Sequence, residues 1–462
     1  MSMQKHSKWL DGLIKYTVAA ILIAVPLYPK FPFLRIPGTF VSIRLEDFLI
    51  VFASIILALI YIPKIGNLIE KPLYKAITSF LLVGLVSVFS GVFLTQTVVP
   101  HIGLLHWFRR IEYFIPLFLG IEAIHRDREN LIFYFKILLI VVFFVFIYGF
   151  GQKSLGWPII ITQNEEYSKG VALRWIAGSH INSTFAGHYD LATFLVLILP
   201  IIVSSFFILN GIWMKITLAT VTFSGLWLLV NTASRVSLVS YLFSTILSLI
   251  LIKKYKAIPI VLVISLIFVG FSSNLLVRYG RIIEVFKGRV GNFHQINLGL
   301  DVNSAYAQDN FDIKRDKVTP TPTPQLVFED RSTNIRLNVE WPRALRAFFK
   351  NPLLGTGYSS ITLATDNDYL RLLGELGILG TLAFITILVR IGVPLLRVFP
   401  LTKYFKDIEL IFLAGVSGSL PGILTNAIFI DIFEASKFAM IFWLIIGFTV
   451  SLAEKRSNED NI

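Results

Sequence analysis

Residues 191–209 read LATFLVLILPIIVSSFFIL, a run without a single charged side chain. As a helix it is long enough to cross a hydrocarbon layer about 30 Å thick, which takes roughly 20 apolar residues. Working outward in both directions, comparable runs recur at about 13–29, 45–62, 74–94, 111–124, 131–150, 213–230, 236–252, 258–271, 378–396, 410–430 and 438–452, so about twelve spans are expected. Composition points the same way: 55% of residues are hydrophobic and 15% charged, too little charge for the surface of a water-soluble chain of 462 residues. The fold class expected is an all-α polytopic integral membrane protein.

The net charge of +13 does not indicate nucleic acid, because the basic residues sit singly or in small groups between apolar runs, where they anchor topology. There is no cysteine, which removes disulfides, thiolate metal sites and cysteine nucleophiles. The first run follows Lys5, Lys8 and Lys15 like a signal peptide, but no small-residue cleavage site follows it, and it reads as a retained span. Lys64, Lys71 and Lys75, then Arg126, Arg128 and Lys136, then Lys253, Lys254 and Lys256, then Arg390, Arg397, Lys403 and Lys406 fall on one side together with both termini. Positive-inside bias makes that side cytoplasmic. The alternate connections then face outward: a medium loop at 151–190 and one large extracytoplasmic loop between spans 9 and 10. Three regions follow: 1–275 with spans 1–9, 276–370 as the large loop, and 371–462 with spans 10–12.

The large loop carries the chain's richest arginine content, and so long a polar interruption calls for a functional reading. Its stretch 301–324, ending in Thr-Pro repeats, has the composition of an extended spacer. Over 332–350 the pattern changes: Ile335, Val339, Leu345, Phe348 and Phe349 form an apolar stripe at near-helical spacing, with Pro342 expected to kink or restart the helix. Arg336, Glu340 and Arg343 share a face if that helix continues. Asn351 and Pro352 end it, and Gly355 and Gly357 permit a tight turn.

Three segments together resemble the O-antigen ligase and O-antigen polymerase superfamily of bacterial envelope enzymes. Asn351-Pro352-Leu353-Leu354-Gly355-Thr356-Gly357-Tyr358 is similar to its Asn-Pro-Leu-x-Gly-x-Gly signature; Asp366-Asn367-Asp368-Tyr369-Leu370 runs into Gly374-Glu375-Leu376-Gly377-Ile378-Leu379-Gly380; Thr232-Ala233-Ser234-Arg235 is like its Ser-Arg at the mouth of a span. The resemblance covers roughly 151–385. It implies a GT-C-like glycosyltransferase at the outer face of the bacterial cytoplasmic membrane. Its donor would be a glycan on a polyprenyl pyrophosphate carrier, and its acceptor a lipid or glycan hydroxyl. By motif position the pyrophosphate-binding arginines are Arg235 and Arg336, with Arg174 as a further outer-loop arginine. The family's catalytic histidine falls on Asp366, a departure that leaves the base open between Asp366, Asp368, His180 and His188; Arg343 is a secondary candidate. The family needs neither cofactor nor metal, and the spacing of His180, His188 and Asp190 fits no metal motif.

The chemistry asks for these residue types. Breaking a bond between an anomeric carbon and pyrophosphate leaves charge on phosphate oxygens, which planar, permanently charged guanidinium groups stabilise. The acceptor hydroxyl needs a carboxylate or imidazole within hydrogen-bond reach. Each residue also has a plainer reading. Arg235 can snorkel to the interface. Arg336 can pair with Glu340. Asp366 and Asp368 can cap the following helix. Trp175, Tyr189, Tyr358 and Tyr369 can stack on sugars or belong to an interfacial belt. A transporter or flippase is the alternative class, but its longest connection would join spans six and seven, which here is only about 210–213. A sensor or scaffold would leave Arg235 and Arg336 replaceable. Ligase, polymerase and protein O-oligosaccharyltransferase remain open.

Overall fold

The computed structural model describes residues 2–29, 32–35, 42–158, 180–270, 334–361 and 364–459. Its helices are α1 (Ser2–Leu27), α2 (Leu45–Tyr61), α3 (Ile65–Glu70), α4 (Pro72–Phe93), α5 (Pro100–Arg126), α6 (Asn130–Ser154), α7 (His188–Ile208), α8 (Ile212–Asn231), α9 (Arg235–Leu251) and α10 (Ala257–Val269). Beyond the large loop come α11 (Trp341–Lys350), α12 (Asp368–Arg397), α13 (Leu401–Tyr404), α14 (Asp407–Asn426) and α15 (Ser436–Glu459). Each expected span falls on a helix. Among the described residues nine helices are long and apolar enough to cross a membrane, and the apolar α9 and α10 are shorter. The protein is therefore a helical, polytopic membrane protein.

Two details differ from expectation. α5 starts at Pro100, well before residue 111, because His101, His106, Arg109 and Arg110 interrupt the apolar pattern without interrupting the helix. A short antiparallel hairpin, β1 (Pro32–Arg35) with β2 (Ser42–Arg44), adds a strand pair to what is otherwise helical among the described residues.

The centre of the bundle is built by helices apolar on every side, as burial on every side requires. The span of α15 is buried throughout, and that of α7 is 83% buried, against 28% for the helical stretch that opens with α2. α15 packs along α5, and α14 packs along both α7 and α9. Small residues set these crossings: Gly120 of α5 meets the backbone of Leu444 and Gly447, and Gly418 and Gly422 of α14 lie on Ser244 and Ser240 of α9. Where lipid gives no hydrophobic advantage to helix association, such close backbone approach supplies the packing energy.

The described parts of the connections after spans 1, 3, 5, 7, 9 and 11 gather at one end. Thr184 donates to Pro26 O, Lys437 Nζ donates to Pro26 O, Tyr28 O and Thr184 O, and Arg44 donates to Ser436 Oγ. Ile181 N–H binds Asn231 O, Thr97 Oγ1 donates to Thr356 O, and Arg110 donates to Phe433 O. At the opposite end Arg126 bridges Asp11 and Glu122, and Arg128 meets Glu409.

Candidate active site

The end that collects these connections is framed by two of the sequence motifs locked together. Gly377 breaks α12 with φ 65° and ψ −166°, a conformation open to glycine. The turn at 351–357 occupies the break: Thr356 N–H binds Gly374 O at 3.0 Å, Gly357 N–H binds Glu375 O at 2.8 Å, and Ile378 N–H binds Pro352 O at 2.8 Å. Gly355 approaches the Glu375 backbone so closely that a side chain would not fit. Asn351 donates to Ser90 of α4, and Ser87 donates to Glu375 O. The Asn-Pro-Leu-x-Gly-x-Gly turn is thus a joint between α4, α11 and α12, closed by backbone hydrogen bonds as burial demands.

A second joint holds the segment before α12. Asp431 is 1% exposed and accepts the N–H of Thr365 at 2.8 Å, the N–H of Asn367 at 2.9 Å and Nη1 of Arg371 at 2.9 Å. Reciprocally, Asp368 Oδ2 accepts the N–H of Ile432 at 2.8 Å and of Phe433 at 3.3 Å, and Asp368 N–H binds Ala427 O. Two carboxylates therefore cross-clamp the loops 364–368 and 427–434. The helix cap is Asn367, whose side chain accepts Leu370 N–H at 2.9 Å. Capping accounts for neither Asp366 nor Asp368.

Asp366, between the two clamped N–H groups, adopts φ 49° and faces Arg336. Nε and Nη2 of Arg336 donate to Asp366 Oδ2 at 3.1 and 2.8 Å. The plainer pairing of Arg336 with Glu340 is not what forms. Arg336 stands on a π-helical turn, Arg336–Glu340, in which Trp341 N–H reaches Arg336 O. Pro342 explains it, since its ring cannot sit over the carbonyl four residues back in a normal α-turn. The apolar stripe of this segment faces outward: Ile335, Val339, Leu345 and Phe349 are exposed.

Tyr189, at the start of α7, lies near enough to Arg336 to favour its charge. The His188 ring lies tilted against Tyr189 at 4.0 Å and against His180 at 4.1 Å between centroids. Both histidines of the medium loop thus lead through Tyr189 to Arg336. Burial works against the charge of Arg336, yet Asp366 and Tyr189 outweigh it and hold its pKa above the ordinary value. Burial pushes the Asp366 carboxyl up to about 6; Asp431 adds to the rise and Arg336 opposes it without cancelling it. Glu340 rises to about 7, from burial first and then from the like charges of Asp366 and Asp431 against Arg336 and Arg343.

Arg235 is half-buried at the first position of α9, at this same end of the bundle. Asn426 fixes that corner by donating to Ser237 Oγ at 3.1 Å and Thr193 Oγ1 at 3.3 Å while accepting from Ser240. Arg174, Trp175 and the spacer 301–324 lie outside the described residues. One aromatic candidate is corrected: Tyr358 is 1% exposed, and its ring is not presented for sugar stacking. Tyr369 is half-buried and donates its hydroxyl to Leu424 O.

Behind Asp368 a cavity of about 40 Å³ is lined by Arg110, Tyr358, Arg371, Glu375 and Glu434. It has room for a few waters and not for a saccharide. Its charges brace the clamp: Arg371 reaches Glu434 at 3.3 Å, and Arg110 pairs with Glu434.

Residues 218–385 match the O-antigen ligase family model. The match supports the O-antigen ligase and polymerase superfamily and a glycosyl-transferring membrane enzyme of that type. It contains Arg235, Arg336, Asp366 and both interlocked motifs. Tyr189 and Asp431 lie outside the ligase match and reach the site by tertiary contact. No curated protein matches the chain. Asp431 and Tyr189 were the residues hardest to assign from sequence. One signal existed: Asp431 is a carboxylate set between Ile430 and Ile432 at a span end, where an ionisable group is costly and calls for a role.

Proposed function

We propose that the protein moves a glycan from a polyprenyl pyrophosphate carrier to a hydroxyl of a lipid or glycan acceptor at the outer face of the bacterial cytoplasmic membrane. The observation that carries this reading is the oriented Arg336, held by two hydrogen bonds to Asp366 at the end of the bundle where α9 opens with Arg235. The acceptor oxygen attacks the anomeric carbon, the bond from that carbon to the phosphate oxygen breaks, and the pyrophosphate leaves with the electron pair. Arg235 and Arg336, with Arg174 from the medium loop, neutralise the charge that develops there. A guanidinium already fixed in direction loses little entropy on binding the diphosphate.

The test is transfer from a polyprenyl pyrophosphate glycan by purified wild type, Arg336→Ala, Arg235→Ala and Arg336→Lys. Losing one such donor costs about 100-fold or more in rate. The lysine variant should fail too, because an ammonium group cannot make the two-pronged contact. Full transfer by both alanine variants would remove the mechanism.

A further inference from the structure

Glycosyl transfer to a hydroxyl requires a group that receives the hydroxyl proton. Asp366 stands where the resemblance expects the family's histidine, but Oδ2 of its carboxylate takes both hydrogen bonds from Arg336. Loading a proton onto Asp366 would discharge the partner that aims Arg336 just as negative charge grows on the leaving group. One carboxylate serves both tasks poorly.

Glu340 is placed differently. It closes the π-helical turn that Arg336 opens, a rare element that concentrates at functional sites. Its Oε2 is buried and takes no hydrogen bond. The next residues repeat the pattern: Trp341 Nε1 and Arg343 Nη1 are also buried without a hydrogen-bond partner. Buried polar atoms left unpaired cost about 1 to 3 kcal/mol each and are scarce in native folds. Of these atoms, Glu340 Oε2 is the acceptor, the type of atom that can take a hydroxyl proton. The charged groups facing Glu340 are Asp366 and Asp431 from the clamped loops and Arg336 and Arg343 from its own segment.

We infer that Glu340 receives the proton of the acceptor hydroxyl, while Asp366 acts on Arg336 as a positioning residue. This rests on the glycosyl-transfer reading above. As the acceptor oxygen bonds to the anomeric carbon, its proton passes to Glu340 Oε2, and the pyrophosphate departs with the electrons of the broken bond. A carboxyl with a pKa of about 7 is half ionised near neutrality, where a general base works well.

The experiment uses the full-length protein in membranes from its source organism lacking the chromosomal copy, so that native donor and acceptor are both present. Polyprenyl pyrophosphate release is followed from pH 5 to 9. Wild type should lose rate as the pH falls below about 7. Glu340→Gln should lower kcat by about 10²–10⁴-fold, leave the donor KM unchanged and abolish that acidic limb. Glu340→Asp should restore part of the rate together with a displaced limb. Asp366→Asn should instead raise the donor KM, through Arg336. Wild-type kcat and an unchanged limb in Glu340→Gln would overturn the inference and leave the glycosyl-transfer reading standing. Should that variant fail to accumulate, Glu340→Asp carries the test, and a wild-type rate with an unmoved limb overturns it. Absence of any release by wild type would overturn both.

Discussion

The turn at 351–357 and the segment at 336–343 are joined by α11, yet they treat polar groups in opposite ways. In the turn, glycines at φ 70° and 90° bring backbone against backbone, and the N–H groups of Thr356 and Gly357 close onto α12. In the segment, Glu340, Trp341 and Arg343 each keep a buried polar atom unpaired. The first region spends its hydrogen bonds on rigidity, and the second leaves polar atoms unspent. The contrast separates two meanings of a sequence motif: the glycine signature holds the frame, and the charged residues that frame aims are those to which the proposed chemistry is assigned.

The largest effect should come from breaking the frame. A Cβ at Gly377 would stand 2.4 Å from Leu353 O and 2.6 Å from Gly355 N, both backbone atoms that cannot rotate away. The backbone there is also at φ 65°, where a β-branched residue is strained by roughly 1–3 kcal/mol before any clash. Gly377→Val should therefore abolish recovery of folded protein, read as loss of the monodisperse peak when detergent extracts are chromatographed. A folded variant with normal transfer would show that the interlocked turn is dispensable.

Asp431→Ala should come next and tests the clamp between frame and chemistry. It strands the N–H groups of Thr365 and Asn367 and one arm of Arg371. Removing one partner of a buried pair costs about 3–5 kcal/mol. Arg371 keeps Glu434 at 3.3 Å and Glu375 at 3.7 Å, so the loss should fall at the lower end of that range. A clear drop in Tm is expected, with transfer falling further than the loss of folded protein accounts for, because Asp366 lies between the two stranded N–H groups. An unchanged Tm would mean that the clamp is not what holds Asp366.

How much of this was legible depended on how far apart in sequence the partners are. The spans could be read because a bilayer imposes one length and one chemistry on every crossing helix. The start of α5 could not, because Arg109 pairs with Asp47 and Glu112, and Arg110 with Glu434, which lets a helix carry charges that hydropathy alone counts against it. The same limit governed the site. Spacing on one helix suggested Glu340 as the partner of Arg336, whereas the partner is Asp366, thirty residues away and aimed by a loop from beyond α14. Asp431 meets backbone N–H groups, which every sequence possesses, so no residue type announced the contact. The arginines, the glycines and Asp366 were readable as motifs; the pairing of Asp366 with Arg336 and the part of Asp431 were not.

The smallest effect should come from Asn367, and it distinguishes a cap from a catalytic group within one short segment. Its side chain closes the first turn of α12 on Leu370 N–H at 2.9 Å, while its own N–H is held by Asp431. Asn367→Ala removes the first bond and keeps the second. Loss of an N-cap costs about 1 kcal/mol, which should appear as a small fall in Tm. The direction of Asp366 depends on the Asp431 clamp rather than on the cap, so the transfer rate per folded molecule should stay within about twofold of wild type. A large loss of rate at normal Tm would move Asn367 from the frame into the chemistry and blur the division between the two regions.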